Sequence, residues 1–309
     1  MQVSDSMSKY SRLKKLWDTN KYALLFLAPW IIGILVFSLY PILHSLVLSF
    51  TDFDLFSVPR FVGLQNYRML LQDARFIQSC KVTTTYVFLG VPLQLIFALL
   101  LALLLNRGIP GLKYFRAIYY LPALLGGSVA ISILWRQVFG IEGIFNQFLS
   151  YLGFSEEITK ISWISNPKFS LHTLIVLRVW QFGSPMIIFL AGLRQIPSEL
   201  YESASIDGAN TFAKFTRITL PILSPIILFN LIMQIISAFQ AFTPAYIIGS
   251  GTGGSLDSLL FYSLYLYICG FKYFRMGYAS AMAWILMIII SVLVFFILKL
   301  SSGFIHYED

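Results

Sequence analysis

The chain has 309 residues, of which 58% are hydrophobic and only 12% are charged, and its mean hydropathy is +0.77. Soluble domains contain about 45–50% apolar and about 25% charged residues, so this composition excludes an ordinary soluble protein. The formal charge of +8 does not indicate nucleic-acid binding, because the basic residues lie in short segments between apolar runs and form no continuous stripe.

The amino-terminal segment, residues 1–21, is basic. Tyr10, Leu13 and Trp17 recur at helical spacing beside Lys9 and Lys14, which predicts a short amphipathic helix on the inner membrane surface. An untethered basic tail fits the same residues equally well. The apolar run that follows is longer than the core of a signal peptide, which has about 7–15 residues, so we interpret it as an uncleaved span.

Six windows are long enough to cross a hydrocarbon core of roughly 30 Å, and none contains Asp or Glu. They are 22–50, 82–105, 117–138, 171–193, 222–248 and 278–298. Only helices and closed barrels satisfy the backbone in lipid, and these continuous runs lack the alternation of barrel strands. The sequence therefore predicts an all-α polytopic membrane protein with six transmembrane helices. Prolines inside the windows predict kinks: Pro29, Pro41, Pro92, Pro122, Pro185, Pro225 and Pro244.

Lys and Arg near the span ends set the expected orientation. The amino-terminal segment, the loops after spans two and four and the tail together carry twelve of the 22 basic residues, in fewer positions than the other ten. This charge density favours a membrane protein with both termini in the cytoplasm. The expected organisation is a cytoplasmic segment 1–21, a six-helix membrane domain 22–300 and a cytoplasmic tail 301–309.

The loop between spans four and five, residues 196–221, is unlike a simple connector. Ser198 is a plausible N-cap of a first short helix, which Gly208 would end. Asn210 can cap a second, in which Phe212, Phe215 and Ile218 or Thr219 form an apolar ridge, and Leu220-Pro221 would end it. Such a rigid pair could dock into another protein and transmit its movement, or it could rest on lipid.

This loop resembles the EAA loop of binding-protein-dependent ABC importer permeases, whose pattern is Glu-Ala-Ala, three residues, Gly, roughly nine residues and Ile-x-Leu-Pro. The matching residues are Glu202-Ser203-Ala204, then Gly208, then Ile218-Thr219-Leu220-Pro221. Only Ser203 departs from the pattern. The resemblance extends over nearly the whole chain and is closest to maltose- and glycerol-phosphate-type sugar permeases, through stretches such as FVGLQNY from Phe61, FRAIYYLP from Phe115 and GYASA from Gly277.

The resemblance implies a permease subunit that imports a sugar or oligosaccharide, driven by separate ATPases that grip the EAA loop. It implies a second homologous permease, two ATPase subunits or an ATPase homodimer, an extracellular solute-binding lipoprotein and membrane lipid as partners, and no nucleic acid. The chain itself would bind no cofactor, since it has no phosphate-binding loop motif, and the ATPases would bind ATP and Mg. The implied coupling residues are Glu202, Ser203, Ala204, Asp207, Gly208, Ala209, Phe212, Phe215, Ile218, Leu220 and Pro221.

Polar residues inside spans four and five are the candidate solute path, because polar groups at lipid depth are costly unless they face a cavity or a neighbouring helix. They are Arg178, Trp180, Gln181, Ser184, Asn230, Gln234, Ser237 and Gln240. Hydrogen-bonding groups beside aromatic rings suit sugar hydroxyls and sugar faces, but the same residue types also hold helices together. Arg178 and Arg136 could attract an acidic sugar or extend to lipid head groups.

Two other classes of function fit parts of the sequence. An ion-coupled secondary transporter generally uses buried carboxylates, which the six windows lack, although backbone carbonyls can also bind sodium. A non-transporting assembly subunit could use loop 196–221 only to dock a partner. No motif for a catalytic or metal site is present, and Cys80 and Cys269 have no metal-ligand spacing, which leaves a bridge between them open. Two stretches, GGSVAISILWRQVFG from Gly126 and VWQFGSPM from Val179, resemble permeases for plant-cell-wall oligosaccharides, including acidic ones. Neutral oligosaccharides and glycerol-phosphate-type solutes stay open.

Overall fold

The computed structural model describes residues 22–23, 25–107 and 111–301. The predicted amphipathic segment 1–21 lies outside the described residues, as does the predicted tail beyond Ser301. The two predictions therefore remain predictions.

Five helical stretches are long and apolar enough to cross a membrane. They are Leu25–Ser49 (α1), Ala74–Leu105 (α3), Ser170–Leu193, Thr211–Ile248 and Met276–Ser301 (α15). A bent pair, Leu112–Leu125 (α4) and Val129–Val138 (α5), supplies the sixth. The predicted all-α architecture is therefore confirmed, and the number of spans is six when the bent pair is counted as one.

Shorter elements connect or subdivide the spans. They are β1 (Thr51–Asp52), β2 (Arg60–Phe61), α2 (Gln65–Gln72), α6 (Ile144–Tyr151), α7 (Glu156–Thr159), α8 (Ser170–Trp180), α9 (Gly183–Leu193), α10 (Ser198–Ile206), α11 (Thr211–Lys214), α12 (Leu220–Phe239), α13 (Thr243–Ile248) and α14 (Tyr262–Tyr267). The two strands are antiparallel, with Thr51 opposite Phe61. Wide π turns occupy Leu35–Leu39, Phe215–Thr219 and Ile268–Lys272. A 3₁₀ turn occupies Ser255–Asp257.

The third span bends by 94° between α4 and α5. The break falls at Gly126, Gly127 and Ser128, where the Ser128 side chain accepts a hydrogen bond from the Ile131 amide and starts a new helix. Helical hydrogen bonding continues past Pro122, whose carbonyl accepts from the Gly126 amide. The expectation that Pro122 marks the kink is therefore wrong, because the two glycines and the cap decide the position.

The other prolines fall into two groups. Pro244 lies at the first positions of α13 and Pro185 in the first turn of α9, where the missing amide costs no hydrogen bond. Pro29, Pro92 and Pro225 lie inside continuous helices, and so does Pro41, which lies just after the π turn of α1. Span four is broken at Gln181 and Phe182, ahead of Pro185, so proline alone does not locate its break either.

The core lies around α3, which packs against α8, α9, α12 and α14. Its inward face carries fully buried residues at helical spacing, among them Val91, Ala98 and Ala102. The helix α1 contacts the rest of the bundle chiefly through α15, where the Trp284 indole donates to Ser45 Oγ. The bundle is thus built around span two, with span one at its edge.

The end of the bundle that holds β1, β2, α2 and residues 249–261 is called the distal end below. Gly277 packs there against strand β1 so closely that a Cβ would lie 2.0 Å from the Thr51 carbonyl oxygen. The GYASA run that carried part of the resemblance therefore begins with a residue that only glycine can fill. Cys80 and Cys269 are both free thiols, so no bridge between them is formed.

Polar contacts tie the distal end together. Asp73 caps α3 by accepting from the Arg75 and Phe76 amides, and its carboxylate also accepts from the Tyr265 and Tyr278 hydroxyls. Burial opposes ionisation of Asp73, but the hydrogen bonds outweigh it and hold the pKa of this carboxyl below its ordinary value. Arg75 forms a two-armed ion pair with Asp257, at 2.7 and 2.9 Å. Spans two and six are therefore joined to the 249–261 loop.

Candidate functional site

The loop between spans four and five forms two helices that meet at Gly208. Gly208 has φ +75, and its amide bonds to the Ser205 carbonyl while the Ala209 amide bonds to the Ala204 carbonyl. This is a Schellman motif, the stop that a left-handed glycine provides. Asn210 then caps α11, since its side chain accepts from the Ala213 amide at 2.8 Å. The predicted helix stop and second cap are both confirmed.

Two side-chain contacts brace these helices against each other. The Tyr201 and Thr219 hydroxyls are 2.9 Å apart, and the Lys214 Nζ donates to Ser205 Oγ at 2.6 Å. Thr219 is buried, so the first contact anchors α10 to the base of span five. The pair therefore moves as a unit with span five rather than hanging as a flexible connector. Nothing in the sequence pattern pointed to Tyr201.

The surface of this braced pair leaves apolar and acidic side chains without partners among the described residues. Ile206 is 87% exposed and Phe212 is 74% exposed. Glu202 and Asp207 are also exposed and take part in no ion pair among the described residues. Two apolar knobs beside two carboxylates form a surface suited to a partner with an apolar groove and basic residues. We call Glu202, Ile206, Asp207 and Phe212 the loop surface.

Two details of the predicted loop are wrong. The N-cap position of α10 is Pro197, not Ser198, because Pro197 holds the extended conformation and Ser198 is already helical. The second helix does not end at Leu220-Pro221 but runs into span five through the π turn Phe215–Thr219. Within that turn the Leu220 amide bonds to the Phe215 carbonyl five residues back. The shifted register accommodates the proline at the start of α12.

The residues of the predicted apolar ridge differ in their exposure. Phe212 is exposed, Phe215 is half-buried and Ile218 packs against the core. The ridge follows the helix from the surface into the bundle, so only its outer end is available to a partner. The remaining implied loop residues, Ser203, Ala204 and Ala209, lie on the same two helices or their turn and are exposed or half-buried.

The candidate solute path contains a buried arginine. Arg178 on α8 is 5% exposed, and its guanidinium donates to the Gln234 backbone carbonyl at 2.7 Å and to Gln234 Oε1 at 3.1 Å. The guanidinium carbon also lies 5.6 Å from the centre of the Tyr86 ring. The side chain therefore points into the bundle between spans two, four and five, and the alternative that it extends to lipid head groups is wrong.

Of two further candidates beside helix contacts, Gln181 is half-buried and Asn230 is buried. Gln181, at the break in span four, receives a hydrogen bond on its carbonyl from Gln94 Nε2 at 3.0 Å. Asn230 is 1% exposed, and neither atom of its amide group has a partner among the described residues. Gln94 was missed from the sequence, although it is the one amide side chain in the window 82–105. Trp180 is half-buried and lies against Trp135, with ring centres 6.0 Å apart.

The other three candidates, Ser184, Ser237 and Gln240, are exposed. Gln240 borders a cavity of about 250 Å³ whose remaining wall is largely apolar and includes Ser291. The eight candidates thus do not converge on one cavity. Arg178 and Gln234 meet directly, while the other three are exposed on the surface of the chain.

The family comparison rests on most of the chain. The family model described as "Binding-protein-dependent transport system inner membrane component" matches residues 74–305, which include every span but the first and the whole of loop 196–221. The chain belongs to this family. It is a multi-pass bacterial membrane protein and a transport permease, and the resemblance to carbohydrate importer permeases inferred from the sequence is confirmed.

This permease is similar to curated proteins and to a solved structure over nearly its full length. The probable ABC transporter permease protein YesP of Bacillus subtilis is 51% identical over 307 residues, which are 99% of this chain and 97% of YesP. The lactose transport system permease protein LacF of Rhizobium radiobacter is 36% identical, with 92% of this chain and 95% of LacF covered. The permease also resembles one chain in the crystal structure of a bacterial alginate ABC transporter in complex with an alginate pentasaccharide-bound periplasmic protein. The two chains superpose with a TM-score of 0.80 at 25% sequence identity, and the match covers 94% of this permease and 97% of that chain.

Proposed function

We propose that this permease is the membrane-spanning subunit of an ATP-driven importer and that loop 196–221 is the lever through which ATPases move it. The loop surface faces the cytoplasm in this proposal, and both termini lie on that side. A basic residue of the ATPase pairs with Glu202, and an apolar groove of the ATPase receives Phe212 and Ile206.

The bracing of the loop is the observation that carries this proposal. The Tyr201–Thr219 contact and the uninterrupted helix from Thr211 into span five connect the loop surface to the bundle without a flexible joint. A push on Phe212 is therefore transmitted directly to α12, on which Gln234 holds the buried Arg178 of span four. Movement of rigid elements of this kind is how small displacements at one site become changes in access elsewhere.

The assembly in this proposal has four kinds of component. A second homologous permease pairs with this chain, most simply as a heterodimer, and two ATPase subunits or an ATPase homodimer bind ATP and Mg and grip the loops. An extracellular solute-binding lipoprotein delivers the solute, a role supported by the periplasmic protein in the alginate transporter complex. The second permease would cover Ser184, Ser237 and Gln240, which are exposed in the isolated chain.

The solute in this proposal is a sugar or oligosaccharide, with acidic oligosaccharides of plant-cell-wall type as the preferred class. The acidic preference is supported by the likeness to an alginate transporter. The lactose permease relative supports a neutral sugar instead. Thermal-shift measurements on the partner binding protein with galacturonate and neutral oligosaccharides of equal length separate the two. If only the neutral oligosaccharides stabilised the binding protein, the proposed preference for acidic solutes would be wrong.

Reconstitution tests the coupling. The permease is purified with its partner permease and ATPases, placed in proteoliposomes and supplied with the loaded binding protein. We expect uptake to require ATP on the side of the membrane where the ATPases lie. Uptake should continue when ionophores remove the sodium and proton gradients. Uptake that follows an ion gradient without ATP would replace this proposal with a secondary transporter, and assembly without any uptake would indicate a non-transporting subunit.

A further inference from the structure

A cavity of about 370 Å³ lies at the distal end, between span two, span four and Leu256 and Ser258 of the 249–261 loop. Three of its lining residues are basic: Lys81 on α3, Lys168 just before α8 and His172 on α8. None of the described residues that line it is acidic. The cavity is therefore a small concave site with only one sign of charge.

The basic groups are not used elsewhere in the described part of the chain. Lys81 and Lys168 are exposed, and neither forms an ion pair with a described residue. The His172 ring is held in place because its Nδ1 lies 3.0 Å from the Lys168 carbonyl oxygen, to which it donates. Gln78 and Thr85 add neutral hydrogen-bonding groups to the same wall. This combination suits a phosphate ester that also carries hydroxyl groups.

A separate apolar groove lies further along the same two helices. It has a volume of about 300 Å³ and is lined only by apolar residues, namely Leu93, Ile96, Phe97 and Leu100 of α3 and Ile175, Val176 and Val179 of α8. Val176 is 50% exposed in the isolated chain. We call the cavity and the groove together the strip, which is charged at one end and apolar at the other.

The near end of the groove lies within reach of one lipid of one leaflet. At a rise of 1.5 Å per residue, the groove runs from about 12 Å to about 22 Å along α3 from Thr85 and from about 5 Å to about 10 Å along α8 from His172. Half of a hydrocarbon core of roughly 30 Å is about 15 Å. The basic residues also lie where the apolar windows 82–105 and 171–193 begin, which is the level of lipid head groups.

We propose that this strip binds an anionic phospholipid, with the phosphate in the cavity between Lys81, Lys168 and His172 and an acyl chain in the groove between α3 and α8. The cavity alone would suit an acidic sugar, but the apolar groove offers such a sugar no hydrogen-bonding partner. Single basic residues at a membrane surface are common. Here basic residues of two spans line the same cavity, and the same two spans form the apolar groove.

Native mass spectrometry of the full-length permease tests this inference, with phosphatidylglycerol and phosphatidylcholine as probes. We expect phosphatidylglycerol to be retained about 25-fold better than phosphatidylcholine. The Lys81→Gln/Lys168→Gln double variant should lose about 25-fold in phosphatidylglycerol retention, since each basic residue at a membrane surface strengthens binding about fivefold. Its phosphatidylcholine retention should not change. Lys160→Gln, an exposed lysine outside the cavity, is the matched control and should behave as the parent.

A second variant tests the groove without changing charge. Val176→Phe should lower retention of both lipids, whereas Val292→Phe, at a comparably exposed valine of span six, should not. Equal phosphatidylglycerol retention by the parent and the double lysine variant would overturn the proposal. Displacement of bound phosphatidylglycerol by trigalacturonate would also overturn it, in favour of an acidic-solute subsite. A cross-link from Val176→Cys to the second permease would overturn it in favour of a subunit interface.

Discussion

The two ends of the bundle differ in how their polar groups are used. At the distal end, Asp73 accepts from two tyrosine hydroxyls and Arg75 is paired with Asp257, so these two charges are satisfied within the chain. At the other end, Glu202 and Asp207 have no ion-pair partner among the described residues, although the helices that carry them are braced. The Asp73 and Arg75 contacts thus hold the distal end together, while the loop surface is fixed in place but unpaired. Substitutions should therefore cost stability at the first end and coupling at the second.

Asp73→Ala should have the largest effect on stability. It removes the N-cap of α3 and leaves the Tyr265 and Tyr278 hydroxyls without their acceptor. A lost cap costs about 1 kcal/mol and each hydrogen bond to a charged group about 1.5–3 kcal/mol, so we expect a loss of about 2–4 kcal/mol after partial compensation by water. Thermal unfolding in detergent measures it. An unchanged unfolding temperature would contradict the account of the distal end.

Gly208→Ala should cost about 1 kcal/mol of stability but reduce uptake about tenfold. A Cβ at Gly208 would meet nothing within 4 Å, so the change acts only on the left-handed backbone at φ +75. Gly153→Ala is a matched control, because Gly153 has φ +85, also with nothing within 4 Å, and lies outside the loop. ATPase stimulation and uptake in proteoliposomes measure the effect. If Gly153→Ala lowered uptake as much as Gly208→Ala, backbone strain at any position, rather than the role of the loop as a lever, would explain the lower uptake.

Tyr201→Phe should have a smaller effect, about 0.5–1.5 kcal/mol, because it removes a single hydroxyl contact and keeps the ring. If this contact transmits force to span five, ATP hydrolysis per solute imported should rise while hydrolysis itself is retained. The ratio of hydrolysis to uptake measures this. Tyr151→Phe, at an exposed tyrosine of α6, is the control that should leave the ratio unchanged.

The smallest expected effect is on acid stability. Because the pKa of Asp73 is held below its ordinary value of 3.8, the stabilisation is present above that value and is lost as the pH falls through the lower pKa of the folded state. The unfolding temperature of the parent should be level from about pH 7 to about pH 5 and fall below about pH 4. Asp73→Asn should show a smaller fall. Parallel curves for the two proteins would mean that Asp73 makes no such contribution.

The sequence was most informative where a single residue type decides the backbone. Hydropathy located all six spans, and Gly208 and Asn210 located the turn of the loop, because each acts through its own neighbours in the chain. Proline was less informative than expected. The break in span three came at Gly126 to Ser128, where two glycines and a cap outweigh Pro122, which lies four residues before Gly126.

Contacts between distant segments could not be predicted from the pattern. The burial of Arg178 depends on the Gln234 carbonyl of another span, and the bracing of the loop depends on Tyr201 meeting Thr219. Neither pairing has a periodic signal in a single sequence. The apolar ridge was assigned correctly as apolar, but whether Ile218 faces the core or a partner is decided by the π turn, which no residue pattern indicated.

The account depends most on the side of the membrane that the loop surface faces. A Phe212→Cys variant, with Cys80 and Cys269 replaced by Ala, can be treated with a membrane-impermeant maleimide in intact cells and in inside-out vesicles. The proposal predicts labelling only in the inside-out vesicles, and protection when the ATPases are bound. Labelling of this cysteine in intact cells would place the loop outside and contradict its role as the lever.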